Sequence, residues 1–251
     1  GAVSAPVREA WHILYDDIFV QVPRTLGILP GYRPQMGNNH DRRTSNEYDN
    51  ATLFRVWELL LEEPSCHRDA YNIDLITVGR QVMGNYFLEV KHDFDSLYRQ
   101  RNIPELQAKA AEMKEILSDL ETLTAFHMHA SLDKWIEDAR SLGATDEQKD
   151  YYEKNARNLI TTWGGSLNDY ASRAWAGLLE NYYSRRWDIY FDAVIGAAKR
   201  GVDLDTDALN EALAAFEQEW VESTTPIQIE RDGTLLDISR RLLEKYKEKI
   251  K

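Results

Sequence analysis

The 251-residue chain has little cysteine and a shortage of positive charge. Its single cysteine, Cys66, excludes an internal disulfide and a zinc site made of several cysteines. The 42 acidic residues outnumber the 30 basic ones and give a net charge of −12. Nucleic acids and anionic membrane surfaces are therefore poor partners, because their phosphates need neutralisation by Lys and Arg. We expect neither nucleic acid nor membrane as a partner.

Long apolar runs are missing as well. No stretch approaches the roughly 20 consecutive apolar residues that a membrane-spanning helix needs. The first residues lack the charged region and apolar run of a signal peptide, and the chain starts with Gly1 instead of Met. We expect Gly1 to be left over from cloning, and the chain to be an excised part of a longer protein.

Helical periodicity, by contrast, is abundant. Apolar residues recur at three- and four-residue spacing along most of the chain, which is the pattern of amphipathic α-helices. The pattern predicts helices over residues 6–20, 50–63, 68–99, 103–143, 145–163, 169–201 (with a break at Ser184), 205–223 and 234–251. Only residues 226–233 indicate extended structure. The prediction is an all-α protein, a single bundle of about eight or nine helices that forms one domain over residues 1–251.

Local signals refine the predicted helices. In the first one, the spacing places a set of large apolar residues on one face: Trp11, Leu14, Tyr15, Ile18 and Phe19. Side chains that can accept a hydrogen bond from the first helical turn predict the N-caps Asn50, Thr145 and either Asn168 or Asp169. Gly79 and Gly84 lie within the predicted helix 68–99, where a missing side chain allows a neighbouring helix to come close.

Residues 21–49 interrupt the helical pattern. Prolines and glycines recur along them, at Pro23, Gly27, Pro30, Gly31, Pro34 and Gly37. These residues favour turns, and so long a loop in a compact domain is typically functional or mobile. The sequence therefore predicts a long irregular loop near the N-terminus.

Catalytic and metal-binding patterns are weak. Glu89 and His92 have the Glu-x-x-His spacing of di-iron bundles, but the second such pair that those sites need is missing. His127 and His129 are predicted on opposite sides of a helix. The many carboxylates lie on charged helix faces, where solvation explains them. We expect no metal, no cofactor and no catalytic residue in this chain.

The segment 161–194 carries an unusual number of aromatic rings around a Gly164-Gly165 break. Trp163 and Tyr170 flank the break, where rings can form a contact surface, and aromatic faces match the C–H faces of sugar rings. Four further rings follow at helical spacing and are predicted to belong to the core: Trp175, Tyr182, Tyr190 and Phe191.

The same segment resembles a known family. Its motifs are Trp163-Gly164, Asp169-Tyr170-Ala171, Ala176-Gly177-Leu178, Asn181-Tyr182-Tyr183 and Arg186-Trp187. Together they resemble the C-terminal helical region of the α-N-acetylglucosaminidases, glycoside hydrolase family 89. Weaker matches elsewhere, such as Tyr71 with Asp74-Leu75 and Arg80-Gln81, extend the resemblance over most of the chain.

The resemblance implies that catalysis and substrate binding are shared between two regions of a longer enzyme. Members of the family release terminal α-linked N-acetylglucosamine from glycans with retention of configuration, and their two catalytic glutamates belong to a (β/α)8 barrel that precedes the helical region. The helical region packs on the mouth of the barrel and helps to wall the substrate pocket. The resemblance therefore implies that this chain is inactive alone, and that the enzyme works in a periplasmic, secreted or lysosomal compartment.

The resemblance also suggests substrate-binding residues. They are Trp163, Leu167 and Tyr170, with Asp169 orienting them, and Tyr48 as a second, separate candidate. An apolar patch around Trp163 should then lie exposed in this chain, since the barrel that would cover it is missing. The alternative hypothesis is a stand-alone helical domain that binds another protein through the loop 21–49.

Overall fold

The computed structural model describes residues 4–20, 27–37, 48–62, 69–127, 129–163, 169 and 171–250, and within these it is all-helical. Two π-helical turns adjoin helices, Leu14–Ile18 after α1 and Leu179–Tyr183 before α7, and Leu29–Gly31 form a 3-10 turn. The all-α prediction is confirmed. In chain order the helices are α1 Ala5–Ile13, α2 Asn50–Glu62, α3 Asp69–Gln100, α4 Ile103–Thr124, α5 Leu132–Arg140, α6 Asp146–Ile160, α7 Ser184–Arg200, α8 Thr206–Glu222 and α9 Leu235–Tyr246.

The long helix α3 is the centre of the bundle. It packs against α2, α4, α7 and α9. A Cβ atom on Gly79 would lie 2.6 Å from Trp57 on α2 and 2.9 Å from Leu123 on α4. Because these distances are shorter than van der Waals contact, only glycine lets the three helices approach this closely. The predicted role of Gly79 is confirmed.

The loop between α1 and α2 contributes to the core. Residues 27–37 are irregular, as predicted, but Ile28, Leu29, Pro30, Gly31 and Tyr32 are all buried. A Cβ atom on Gly84 of α3 would lie 2.3 Å from Ile28, so this glycine makes room for the loop instead of for another helix. Residues 21–26 and 38–47 of the predicted loop lie outside the described residues.

One predicted helix is in fact two. The prediction of a continuous helix over 103–143 is wrong, because α4 ends at Thr124 and α5 begins at Leu132. The intervening segment turns to meet residues near the start of α7, where the Leu132 amide donates to the Ala176 carbonyl at 2.9 Å. No Gly or Pro marks this break, and its cause is a tertiary contact.

The predicted caps have mixed outcomes. Thr145 caps α6 in a capping box with Gln148, as predicted. Asn50 is not a cap: it is buried inside α2, and the Asp49 side chain accepts from the Ala51 amide at 2.9 Å instead. Asp169 is not a cap either, since the π-helical turn before α7 begins only at Leu179.

The apolar face of the first helix is divided between core and solvent. Ala10, Leu14 and Ile18 are buried, whereas Trp11, Tyr15 and Phe19 are 45%, 70% and 58% exposed. The prediction that all the large residues share one face is therefore right only in part. We call Trp11, Tyr15, Phe19 and the adjoining Val20 the α1 stripe.

Candidate functional site

Trp163 lies just beyond the end of α6, where the sequence places it beside the glycine pair. Its amide donates to the Asn158 carbonyl at 2.9 Å, so the backbone is held by the last turn of the helix. Its side chain is 48% exposed. Leu159 and Tyr152 are also exposed and lie four and eleven positions earlier, on the same face of α6. The predicted exposed apolar surface is present at this residue.

Asp169 anchors the chain beyond the glycine pair. It is buried, its amide donates to the Thr161 carbonyl at 3.2 Å, and its φ of 65° is left-handed, a region that Asp tolerates better than most residues. Its carboxylate lies 2.9 Å from the Arg186 guanidinium. Leu167 and Tyr170 lie outside the described residues.

Arg186 is the centre of a buried ionic network. Besides Asp169 it contacts Glu217 of α8 at 3.1 Å, and Glu217 in turn contacts Arg33 at 3.2 Å. The Tyr182 ring lies 4.5 Å from the guanidinium carbon. Burial alone would lower the pKa of Arg186, but the two carboxylates outweigh burial and raise it above its usual value. Sequence reasoning found Arg186 only as part of a motif and missed its partner Glu217, as well as Arg33, which pairs with Glu217.

The same part of α7 holds the loop 27–37. The Trp187 indole donates to the Pro30 carbonyl at 3.1 Å. At the other end of the loop, the Gly37 amide donates to Asp95 and the Lys91 ammonium donates to the Gly37 carbonyl, both at 3.0 Å. The described part of the loop is therefore held at Pro30 and at Gly37.

The two irregular segments touch each other. Cβ atoms on Gly27 and Gly31 would lie 2.6 and 2.9 Å from the Ser172 hydroxyl, so the glycines allow the loop to pack against the residues that follow Asp169. The structure thereby brings the predicted loop and the predicted aromatic segment together at one place on the bundle.

Tyr48 is half-buried against α3. Its hydroxyl accepts a hydrogen bond from Asn85 at 3.2 Å, and Asn85 also bonds to Asn50. In the described part of the chain this hydroxyl contacts α3 and neither Trp163 nor Asp169. Tyr48 therefore stays a separate candidate, next to Gly84 and the loop that packs on it.

The four rings predicted for the core have different positions. Tyr182, Tyr190 and Phe191 are buried, as expected. Trp175 is only half-buried and packs edge-on against Trp135, with ring centroids 5.9 Å apart. The Trp135 indole donates to the Ala156 carbonyl of α6 at 2.9 Å. Trp175 thus belongs to the surface beside α6 and not to the core.

The described residues offer no sign of metal chemistry. Within them, no three His, Cys, Asp or Glu side chains are grouped so that they could hold a metal ion. Glu89 and His92 are both exposed on α3.

One carboxyl is unusual: burial raises the pKa of Glu121 to about 7, although the amides of Gly177 and Glu180 donate to it. Glu121 lines a polar cleft of about 750 Å³.

The comparisons with known proteins identify the fold and its family. The chain matches the model of the alpha-N-acetylglucosaminidase (NAGLU) C-terminal domain over residues 1–245. The chain belongs to this family. Human alpha-N-acetylglucosaminidase is 28% identical over 219 residues, which cover 85% of this chain and 29% of the human protein. Among the described helices, none is long and apolar enough to cross a membrane.

Solved structures share the fold of this alpha-N-acetylglucosaminidase C-terminal domain. A family 89 glycoside hydrolase from Clostridium perfringens, in complex with its substrate GlcNAc-alpha-1,4-galactose, superposes with a TM-score of 0.86 at 23% identity. The match covers 100% of this chain and 31% of that one. A complex of the Clostridium perfringens family 89 enzyme with PUGNAc gives a TM-score of 0.86 over 98% of this chain and 30% of that one. The chain therefore spans about three tenths of the length of these relatives.

Proposed function

We propose that this chain is the helical domain of an exo-α-N-acetylglucosaminidase. In this proposal the domain packs on a catalytic (β/α)8 barrel and supplies part of the wall of the pocket for terminal α-linked N-acetylglucosamine. Its membership of the family supports the proposal, as does its coverage of only 29% of the human relative. The catalytic glutamates belong to the barrel, so the chain alone is inactive, and the enzyme works outside the cytoplasm.

The observation that carries the pocket-wall role is the exposure of Trp163. Burying a Trp side chain is strongly favourable, and 48% of the Trp163 side chain is still exposed at the end of a helix, an apolar area that a ligand can cover. An indole face matches the C–H face of a sugar ring. The buried ion pair with Arg186 fixes the side chain of Asp169, and a preformed site needs such fixed positions.

The other proposed site residues have subsidiary roles. In this proposal Tyr170 and Leu167, which lie outside the described residues, complete the wall with Trp163. Asp169 is a positioning residue, because its carboxylate is buried on Arg186 and does not face a ligand. Tyr48, whose hydroxyl accepts from Asn85 of α3, is a second and separate candidate for the wall.

The α1 stripe is the proposed contact surface for the barrel. Four adjoining apolar side chains are each at least 45% exposed there, which is unusual for a surface that meets only water. The alternative, a stand-alone domain that binds proteins through the loop 21–49, is less favoured because residues 28–32 are buried in the bundle.

The test is the Trp163→Ala substitution in an enzyme that contains this domain together with its catalytic barrel. We expect kcat/KM on an α-linked chromogenic N-acetylglucosaminide to fall about tenfold, which corresponds to about 1.4 kcal/mol of lost transition-state stabilisation. Tyr151→Ala is the matched control, because Tyr151 is an exposed ring on α6, twelve residues before Trp163. Unchanged kinetics in the Trp163 variant would remove this residue from the pocket.

A further inference from the structure

The connection between α8 and α9 contains an extended stretch of backbone. No helix, turn or bend occurs over residues 223–232. Ile227 and Ile229 are half-buried, and their side chains would lie 3.0 and 3.1 Å from a Cβ atom on Gly177. Side chains two positions apart that point to the same side are the mark of an extended chain. We call residues 226–230 the α8–α9 segment.

The backbone amides of the α8–α9 segment are unpaired. Within the described residues, none of the amides of residues 227–230 donates a hydrogen bond. Pro226 has no amide to donate, and proline is typical of the first residue of a strand at the edge of a sheet. A row of unpaired N–H and C=O groups in extended backbone is a template onto which another polypeptide can add as a strand.

The α8–α9 segment is held on both sides. The Arg157 guanidinium donates to the Thr225 carbonyl at 3.0 Å, and the Arg231 guanidinium donates to the Ala125 carbonyl at 2.9 Å. Arg231 also pairs with Asp133 at 2.8 Å. A backbone that is already fixed in its bound conformation loses little entropy when a partner binds, so these contacts prepare the segment for pairing.

The segment borders the polar cleft of about 750 Å³ that Glu121 also lines. The exposed residues Pro226, Gln228 and Glu230 line it together with residues of α4 and of the first turns of α7. Its volume lies within the range of ligand-binding pockets. The cleft therefore leaves room for a further stretch of polypeptide beside the α8–α9 segment.

The charges of the cleft favour a basic occupant. Its two basic side chains, Lys114 and Arg185, both contact Asp188, at 2.6 and 3.9 Å. Glu180 and Glu230 are exposed and form no ion pair in the described part of the chain. Two carboxylates at the cleft are thus left without a counter-charge, and a segment that carries Lys or Arg is complementary to them.

We propose that a basic, extended segment of the enzyme, from outside this chain, adds as a strand to the α8–α9 segment and occupies the cleft. The proposal rests on the proposed function, since it gives the domain a second attachment to the rest of the enzyme, apart from the α1 stripe. The length of the relatives favours this source, because this chain spans only about three tenths of it. Backbone hydrogen bonds position the occupant, and its Lys or Arg side chains pair with Glu180 and Glu230.

The experiment is hydrogen exchange at single-residue resolution, followed by mass spectrometry. It compares the 251-residue chain with the enzyme that includes the catalytic barrel. In the chain alone, we expect the amides of residues 227–230 to exchange nearly as fast as those of an unstructured peptide. In the enzyme, either 227 and 229 or 228 and 230 should exchange at least about 100-fold more slowly, because an added strand pairs with every second residue. Any other result, such as equal exchange in both proteins or slow exchange of all four amides, would overturn the proposal.

The double variant Glu180→Gln, Glu230→Gln of the enzyme tests the charge of the occupant. We expect exchange of the protected amides to become at least about tenfold faster, because the ion pairs to the occupant are lost. The control is Glu211→Gln, Glu219→Gln on α8, two exposed glutamates that likewise form no ion pair with any described residue. Equal exchange in the two double variants would show that the occupant is not basic and would overturn the proposal.

Failure of this proposal can be told apart from failure of the proposed function. Exchange at residues 227–230 can stay fast while the Trp163→Ala substitution still lowers kcat/KM, and then only the added strand is excluded. If the domain does not pack on the barrel at all, the kinetic effect of Trp163→Ala and the slow exchange are both absent.

Discussion

Asp169 has a charge in a place that water hardly reaches. Its only charged neighbour within ion-pair distance in the described structure is Arg186, which also serves Glu217. Removing one partner of a buried pair leaves an uncompensated charge, and this usually costs more than the intact pair contributes. Asp169 therefore contributes to stability through its ion pair with Arg186.

The Asp169→Asn variant should isolate this charge. Asn tolerates the left-handed backbone at this position and keeps the size of the side chain, so the backbone stays unstrained. We expect the free energy of unfolding to fall by about 1–3 kcal/mol, because Arg186 keeps Glu217. Urea denaturation measures it, and Asp146→Asn on the exposed start of α6 is the control. A loss no larger than that of the control would show that the buried pair contributes nothing.

At the scale of single residues, the sequence predicts whether a side chain is exposed better than it predicts which residues that side chain contacts. The place of Trp163 beside two glycines correctly indicated an exposed ring. The network of Arg186 could not be read in the same way, because Glu217 and Arg33 lie far from it in the sequence and only folding brings them together. The half-burial of Trp175 was missed for the same reason, since its neighbour Trp135 comes from another element.

At the scale of elements, Gly79 decides how closely three helices pack. Gly79→Ala would push a methyl group into the Trp57 ring and the Leu123 side chain. We expect a loss of about 1–3 kcal/mol in unfolding free energy, the usual cost of overpacking a core. Gly196→Ala is the control on α7, where the new methyl group would meet only the flexible end of Arg200 at 3.2 Å.

The two glycine variants should change the free energy of unfolding in opposite directions. In Gly196→Ala the gain in helix propensity dominates, and we expect stability to be unchanged or to rise by up to about 1 kcal/mol. Thermal unfolding of the two variants under the same conditions provides the comparison. Equal melting temperatures would mean that α2, α3 and α4 can separate without cost.

Glu121 ties α4 to the start of the π-helical turn Leu179–Tyr183 and should make stability depend on pH. Burial raises the pKa of this carboxyl from 4.5 to about 7 in the folded chain, so the folded state binds a proton more tightly than the unfolded state does. The resulting stabilisation is complete below about pH 4.5 and is lost as the pH rises through 7. Because the carboxyl lines an open cleft, we expect about 1–2 kcal/mol and not the full value of the shift.

The Glu121→Gln variant removes this titration and keeps one acceptor oxygen, which can serve the Gly177 amide, whereas the Glu180 amide loses the second carboxylate oxygen. Urea denaturation at pH 4.5 and pH 7.5 should show that wild type loses about 1–2 kcal/mol more than the variant over this range. Glu137→Gln, at an exposed position on α5, serves as the control. Parallel pH profiles for wild type and Glu121→Gln would contradict the assigned pKa.

Element type was predictable, and element ends were not. Regular apolar spacing was enough to identify most of the helices, since burial of one face is what makes each of them stable. Residues 171–177, predicted as helix, are irregular. The break after Thr124 has no Gly or Pro, and it exists because Leu132 pairs with Ala176. Which side chains of the first helix are buried and which are exposed could not be predicted either. The spacing of residues in the sequence does not show which other element packs against a given helix face.

At the scale of the whole molecule, the α1 stripe is the exposed apolar surface for which we propose a partner. Tyr15 and Phe19 are 70% and 58% exposed and lie next to Trp11 and Val20. Contiguous exposed apolar surface of this kind favours association. We predict that the isolated chain self-associates with rising concentration, and that the double variant Tyr15→Ser, Phe19→Ser associates less.

Sedimentation velocity over a range of concentrations measures the difference. The melting temperature of the isolated double variant should stay close to that of wild type, since neither side chain contributes much to the core. Leu142→Ser is the control, because Leu142 is 70% exposed and lies apart from the stripe. In an enzyme that includes the catalytic barrel, the same double substitution should instead lower the stability of the assembly, because we propose that the barrel covers the stripe. Identical association of wild type and double variant, together with an unaffected assembly, would mean that the barrel packs elsewhere on the bundle.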